Sequence, residues 1–143
     1  MRSLAWWHAV PDDPPNTKTR ADRPKLKKQS RMQLRTEAGG EPDLPPIDME
    51  CTYIIGMLFE VGPACANGMS VQPISWIELD AYQRSIGVAL SPWESRTLRA
   101  LSSAYVAESN EASAHDAPIP WVPEGTRERR ERIAKHIRNV FRS

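Results

Sequence analysis

Apolar residues recur at helical spacing along the middle of the chain. The first such stretch predicts a helix over residues 47–61, with Asp48 as its N-cap and Gly62-Pro63 as its end. Its apolar positions fall at every fourth residue and are widened by two neighbours: Met49, Tyr53, Met57 and Val61, with Ile54 and Leu58. The turn signal Asn67-Gly68 then predicts a loop up to Pro73.

Two further helices carry complete start signals. Ser75 and Glu78 form one capping box, and Ser91 and Glu94 form another with a proline at the first helical position. The first helix is predicted to end at Gly87 and the second to fade near residue 108. Because the connection over residues 87–90 is so short, the two helices are expected to fold back into an αα-hairpin. We assign the aromatic residues of this hairpin mainly to its core: Trp76, Tyr82, Trp93 and Tyr105.

The flanking regions lack a sustained apolar stripe. We predict a disordered, basic, proline-rich arm over residues 1–45, in which Trp6 and Trp7 pack only loosely on the body. A linker over residues 110–125 and a basic amphipathic helix over residues 126–143 follow the helical domain, which spans residues 46–109. The predicted fold class is therefore all-α, a small helical domain with a central αα-hairpin.

Composition and charge refine this picture. With 143 residues, 13 prolines and 40% hydrophobic side chains, the chain has material for one modest domain. Residues 18–35 hold eight basic side chains against one acidic, residues 36–117 hold three against twelve, and residues 118–143 hold seven against three. An acidic centre between two basic arms favours contact with a partner, or contact of the arms with the centre.

The sequence contains no arrangement that indicates catalysis. Nucleophile elbows, zinc-protease motifs and phosphate-binding glycine loops are absent. His8, His115 and His136 fall in segments predicted to be mobile, and capping explains Glu78 and Glu94 without a substrate. We therefore expect no enzyme activity and no cofactor.

The two cysteines, Cys51 and Cys65, show neither metal-ligand nor redox spacing, so we expect no metal site and a reducing cytoplasm. The longest apolar run, residues 53–59, is too short to cross a bilayer, and no secretory signal is evident, so we expect no membrane partner.

Three short helices over about 65 residues make a marginal core, which favours docking on a partner or self-association.

Three motifs in the centre resemble a known family. They are Pro-Ile-Ser-Trp-Ile-Glu-Leu-Asp-Ala-Tyr at residues 73–82, Gly-Val-Ala-Leu-Ser-Pro-Trp-Glu at residues 87–94, and Leu-Arg-Ala-Leu-Ser-Ser-Ala-Tyr at residues 98–105. Together they resemble the small tail assembly chaperones of long-tailed bacteriophages and prophages. The resemblance covers about a quarter of the chain, and its most specific element is the turn over residues 90–94 followed by Tyr105.

The resemblance implies a non-enzymatic role. Such chaperones coat the helical tape-measure protein, assist polymerisation of the tail-tube protein around it, and are lost from the mature particle. By this resemblance the protein is expected in the host cytoplasm and not in the virion. The residues then expected to build the hairpin and contact the partner are Trp76, Tyr82, Trp93, Leu98, Leu101 and Tyr105, with Arg96 and Arg99.

Two alternatives remain open from the sequence. The basic arms suit a nucleic-acid-associated phage accessory protein, for which salt-sensitive retardation of duplex DNA, lost on deletion of residues 18–35, is the test. Against it, the arm over residues 18–35 has no interleaved aromatic residues to stack on bases. A minor structural component of the tail is the other alternative, and it predicts that the protein persists in purified particles.

Overall fold

The all-α class predicted from the sequence is confirmed. A computed structural model describes residues 1–12, 28–67 and 70–123, together with residues 125, 126, 128 and 131. Within these residues the chain forms five helices and one small hairpin of strands: α1 (Arg2–His8), α2 (Arg31–Glu37), α3 (Met49–Val61), β1 (Cys65–Asn67), β2 (Ser70–Gln72), α4 (Trp76–Ile86) and α5 (Pro92–Ala112). The C-terminal helix predicted over residues 126–143 lies almost wholly outside the described residues.

The central core joins α3, α4 and α5. Its fully or nearly fully buried side chains are Ile54, Leu58, Ile74, Leu79 and Leu98. Of the apolar stripe predicted for α3, Ile54 and Leu58 are therefore the residues buried in this core. Met49 and Tyr53, on the same predicted stripe, remain exposed.

Both capping boxes are confirmed at the starts of α4 and α5. The Ser75 hydroxyl accepts a hydrogen bond from the Glu78 backbone N–H at 3.2 Å, and the Glu78 carboxylate accepts one from the Ser75 N–H at 2.6 Å. Ser91 and Glu94 make the same reciprocal pair. Gly87 ends α4 in the left-handed conformation, with φ at 70°. These local signals determine where the two helices of the predicted hairpin begin and where α4 ends.

A strand pair replaces part of the loop predicted between α3 and α4. β1 and β2 are antiparallel, with Cys65 opposite Gln72 and Asn67 opposite Ser70. The predicted turn at Asn67-Gly68 lies at the tip of this hairpin, where residues 68 and 69 are outside the described residues. The buried Ser102 hydroxyl fixes the approach to α4, because it accepts a hydrogen bond from the Ile74 N–H and donates one to the Pro63 carbonyl, both at 2.8 Å.

The N-terminal region differs from the disordered arm predicted over residues 1–45. Its described parts contain α1 and α2, and α1 packs against α5 and α2. Trp7 is buried rather than loosely attached, and its indole N–H donates to the Asp43 carbonyl at 2.9 Å. The Trp6 indole donates to the Ala117 carbonyl at 3.0 Å. Residues 13–27 of the predicted arm lie outside the described residues.

Arg31 fastens this region to the end of α5. Its guanidinium group is buried and donates to the carbonyl oxygens of Ala112 at 2.6 Å and Ala114 at 2.9 Å. The same group lies 4.5 Å from the centroid of the Trp6 ring. Burial lowers the pKa of Arg31 from its usual value, but an arginine remains charged at neutral pH. The cation therefore supplies a partner for the Ala112 carbonyl, which the end of α5 leaves without one, and a second partner for the Ala114 carbonyl, which also accepts from the Ala117 N–H.

The end of α5 also lies further along the chain than predicted. The helix continues to Ala112, past the boundary at residue 109 and into the predicted linker over residues 110–125. Glu111 of this extension and Glu108 just before it pair with Arg2 of α1 at 3.9 Å and 3.2 Å. Contacts with α1 and Arg31 thus accompany a helical extension for which the local sequence gives no signal.

The burial of His8 predicts that the attachment of α1 depends on pH. Its ring lies 4.9 Å from the Phe59 ring and 6.3 Å from the Tyr105 ring, and burial lowers its pKa. The unfolded chain therefore binds a proton more readily than the folded chain, so folding stability decreases as the pH falls below about 6.5. We expect the melting temperature to fall between about pH 7.5 and 5.5, with a smaller fall in His8→Phe.

The control for this prediction is His115→Phe, because His115 is exposed after the end of α5. This variant should retain the pH dependence of the parent chain in the same thermal melts. Equal pH dependence in His8→Phe and the parent would contradict the prediction.

Candidate partner-binding surface

Trp76 lies at the first position of α4 and is 52% exposed. One face of its ring is covered by the Arg99 guanidinium, whose carbon lies 4.6 Å from the ring centroid. Arg99 also donates to the Ile74 carbonyl at 3.2 Å, which holds the guanidinium group in place. The structure thus brings together two of the predicted partner-contacting residues, and about half of the tryptophan surface remains free to contact another molecule.

Trp93 lies in the first turn of α5 and is 59% exposed. The neighbouring Glu94 carboxylate lies close enough to Tyr53 on α3 for the two groups to interact electrostatically. Partial desolvation and, secondly, the nearby Glu94 charge raise the pKa of Tyr53, while hydrogen bonding by Ser91 lowers the pKa of Glu94. Two exposed aromatic side chains therefore lie next to a carboxylate that stays ionised at neutral pH.

The other predicted contact residues divide between the core and the surface. Leu98 is fully buried, Leu101 packs against the same core, and Tyr105 packs against Phe59 with ring centroids 6.0 Å apart. Tyr82 is half-buried and its hydroxyl donates to the Glu60 carboxylate at 2.8 Å. Arg96 is exposed. Contact of these residues with a partner stays a prediction, and for the buried ones it would require the domain to open.

The placement of Trp76 and Trp93 corrects their assignment to the core. Both side chains stand outside the Ile54–Leu98 cluster, although they occupy helical positions that also suit a core residue. Ile77, next to Trp76, is 78% exposed and was not singled out from the sequence. The exposure of Ile77 could have been predicted from its distance to Leu79 in the sequence. In a helix, a residue two positions from a buried residue lies on the opposite side of the helix.

Arg31 and Arg35, in the described part of the basic arm, form hydrogen bonds with other parts of the chain. Arg31 binds the end of α5, and the Arg35 side chain donates to the Glu41 carbonyl at 3.2 Å. These two guanidinium groups therefore already bind carbonyl oxygens. Most of the remaining basic residues of this arm fall in residues 13–27, outside the described residues.

The thiol of Cys65 lies beside α4 and has low reactivity. Its hydrogen bond to the Glu78 carboxylate, followed by burial, raises its pKa to about 11. Because the thiolate is the reactive form of cysteine, this environment suppresses nucleophilic and metal-binding chemistry at neutral pH. In the described ranges, no cluster of three or more histidine, cysteine, aspartate or glutamate side chains is placed to hold a metal ion.

Among the described residues, no helix combines the length and the apolar character needed to cross a membrane. Comparison with protein-family models, with curated proteins and with solved structures found no match to this chain. The arguments for function therefore come from the chain itself.

Proposed function

We propose that this protein is a non-enzymatic tail assembly chaperone of a long-tailed phage or prophage. In this proposal it binds the tape-measure protein, keeps its apolar helices soluble, and assists polymerisation of the tail-tube protein. The observation that carries the proposal is the exposure of Trp76 and Trp93 on a helical domain in which Leu58, Leu79 and Leu98 are buried. The resemblance of residues 73–105 to such chaperones supplies the class of client.

Exposed tryptophans on two capped helices suit a binding surface. Tryptophan is among the residues that contribute most to protein interfaces, because its large ring loses little conformational entropy on binding. The capping boxes hold the backbone at Trp76 and Trp93 in place before any partner arrives. The Arg99 guanidinium covers one face of the Trp76 ring and so limits the motion of this side chain. A preorganised aromatic contact reduces the entropic cost of binding.

The client chemistry that fits this surface is an amphipathic helix with exposed apolar residues. Such a helix is recognised by apolar contacts at spacings of three and four residues. Next to Trp76 in the sequence, Ile77 adds an exposed aliphatic side chain, and Tyr53, which interacts with the Trp93 neighbour Glu94, adds a further exposed ring. A tape-measure protein presents a long series of such helical faces before the tail tube encloses it.

Co-expression with the tape-measure protein of the same phage or prophage tests the proposal. We expect Trp76→Ala/Trp93→Ala to reduce the co-purified client roughly tenfold or more, since truncating central interface aromatics commonly costs about 2 kcal/mol or more. The matched control is Leu34→Ala/Ile119→Ala, which truncates two exposed apolar residues outside α3, α4 and α5. A client that is equally soluble alone, or never co-purifies, would remove the proposal.

The proposal also places the protein in the host cytoplasm and outside the finished particle. Mass spectrometry of purified particles should then detect the tube and tape-measure proteins without this chain. Its presence at stoichiometric levels would favour the minor structural component instead.

A further inference from the structure

We infer that the basic C-terminal segment of this chain, residues 124–143, docks on a groove between α1 and the start of α3. The groove is an open cavity of about 190 Å³. Its apolar lining comes from three parts of the chain and consists of Met1, Leu4, Leu44, Pro45, Ile47 and Ile55. An apolar cavity of about 150 Å³ accepts a benzene-sized group, so this groove has room for an aromatic or branched side chain.

Half of the residues that line the groove belong to the most acidic part of the chain. Residues 36–83 contain eight carboxylates and no lysine, arginine or histidine. Asp43 precedes the lining residues Leu44 and Pro45, and Asp48 follows the lining residue Ile47. Asp48 occupies the N-cap of α3, but its carboxylate makes no capping hydrogen bond. Arg2, which also lines the groove, is already paired with Glu108. The groove therefore has a mainly apolar lining, and two acidic residues are sequence neighbours of lining residues.

The C-terminal segment has the complementary pattern. Residues 124–143 carry seven basic side chains against three acidic ones. Their apolar residues fall at helical spacing: Ile133, Ile137, Val140 and Phe141. A helix with this sequence would present one narrow apolar face bordered by arginines. Such a face matches the apolar lining of the groove, and its arginines suit the acidic stretch over residues 36–83 that supplies half of this lining.

The chain passes close to α1 shortly before this segment begins. After α5, the Ala117 carbonyl accepts a hydrogen bond from Trp6, and Pro118 and Pro120 line a cavity together with Trp6 and Arg2. Arg2 lines this cavity and the groove alike. The chain thus leaves the last continuous described range, which ends at residue 123, alongside α1. The sixteen residues from 126 to 141 span about 24 Å as a helix, at 1.5 Å per residue.

Photo-cross-linking in the full chain tests this docking. With p-benzoylphenylalanine in place of Phe141, we expect cross-links within one chain to the groove, mapped by mass spectrometry to residues 1–4 or 44–55. Cross-links that appear only on a species of twice the chain mass would identify a second copy as the occupant and overturn the inference. Cross-links to the surroundings of Trp76 or Trp93, or none at all, would also overturn it.

Two matched comparisons make the test specific. Ile47→Ser should lower the yield of these cross-links by about threefold or more, whereas Ile77→Ser, the same change at another exposed isoleucine, should not. Asp43→Asn/Asp48→Asn should lower the yield by about threefold at low salt. Glu37→Gln/Asp80→Asn removes the same charge from α2 and α4 and should leave it unchanged. The inference would be overturned if Ile47→Ser and Ile77→Ser lowered the yield equally, or if the two double charge substitutions did. Far-UV circular dichroism verifies that each variant is folded.

Discussion

Replacing Leu98 with alanine should destabilise the central helices more than any exposed apolar substitution. Leu98 is fully buried and belongs to one cluster with Ile54, Leu58, Ile74 and Leu79. Truncation of a buried leucine removes apolar contacts and leaves a cavity, which costs about 2–5 kcal/mol. Since small domains are stable by only about 5–15 kcal/mol, this is a large part of the total. The measurement is the free energy of unfolding from urea titration followed by circular dichroism.

The control for Leu98→Ala is Leu34→Ala, the same substitution at an exposed position of α2. Its unfolding free energy should stay within about 0.5 kcal/mol of the parent chain. Comparable values for the two variants would show that α3, α4 and α5 do not share the core described here.

Replacing Arg31 with methionine should release the N-terminal region from α5. The substitution keeps an unbranched apolar side chain but removes the cation that donates to Ala112 and Ala114. Hydrogen bonds to a charged group are worth about 1.5–3 kcal/mol each, and carbonyl groups left without a partner add to the cost. The expected loss of local stability is about 2–4 kcal/mol, less than the sum because the freed carbonyls regain water.

Hydrogen exchange measures this loss by segment. In Arg31→Met, the protected amides of α1 should exchange roughly a hundredfold faster, since about 1.4 kcal/mol corresponds to a factor of ten. The middle of α5 around Leu98 should change less, because its core does not include Arg31.

Arg35→Met provides the matched control for Arg31→Met. It removes the same charge from the same helix, but Arg35 is exposed and makes one hydrogen bond, to the Glu41 carbonyl. Its effect on α1 exchange should be small. An equal effect of both substitutions would mean that net charge, and not the buried contact of Arg31, attaches the N-terminal region.

The candidate surface could be predicted only in part. The sequence placed Trp76 and Trp93 at the first turns of two capped helices, and both helices begin as predicted. It could not decide whether these side chains were buried, because helical spacing alone does not say which element covers a face. The pairing of Arg99 with Trp76 joins residues 23 positions apart, and no local pattern indicates it.

The N-terminal region is a second case in which the sequence alone did not predict burial. Its proline, charge and sparse apolar residues predict disorder, yet Trp7 and Arg31 are buried against distant parts of the chain. The bonds that hold them reach Asp43, Ala112 and Ala114. The long-range contacts of these two side chains stabilise a region whose composition alone predicts disorder.

By itself, the sequence determined the all-α class, the starts of α4 and α5 and the end of α4. These features depend on hydrogen bonds between residues no more than five positions apart, so the local sequence is sufficient to specify them. Only the tertiary structure decided that α1 covers α5, that Arg31 binds the end of that helix, and that two tryptophans stay outside the core. These outcomes depend on which surfaces meet, and that is determined by the packing of the whole chain.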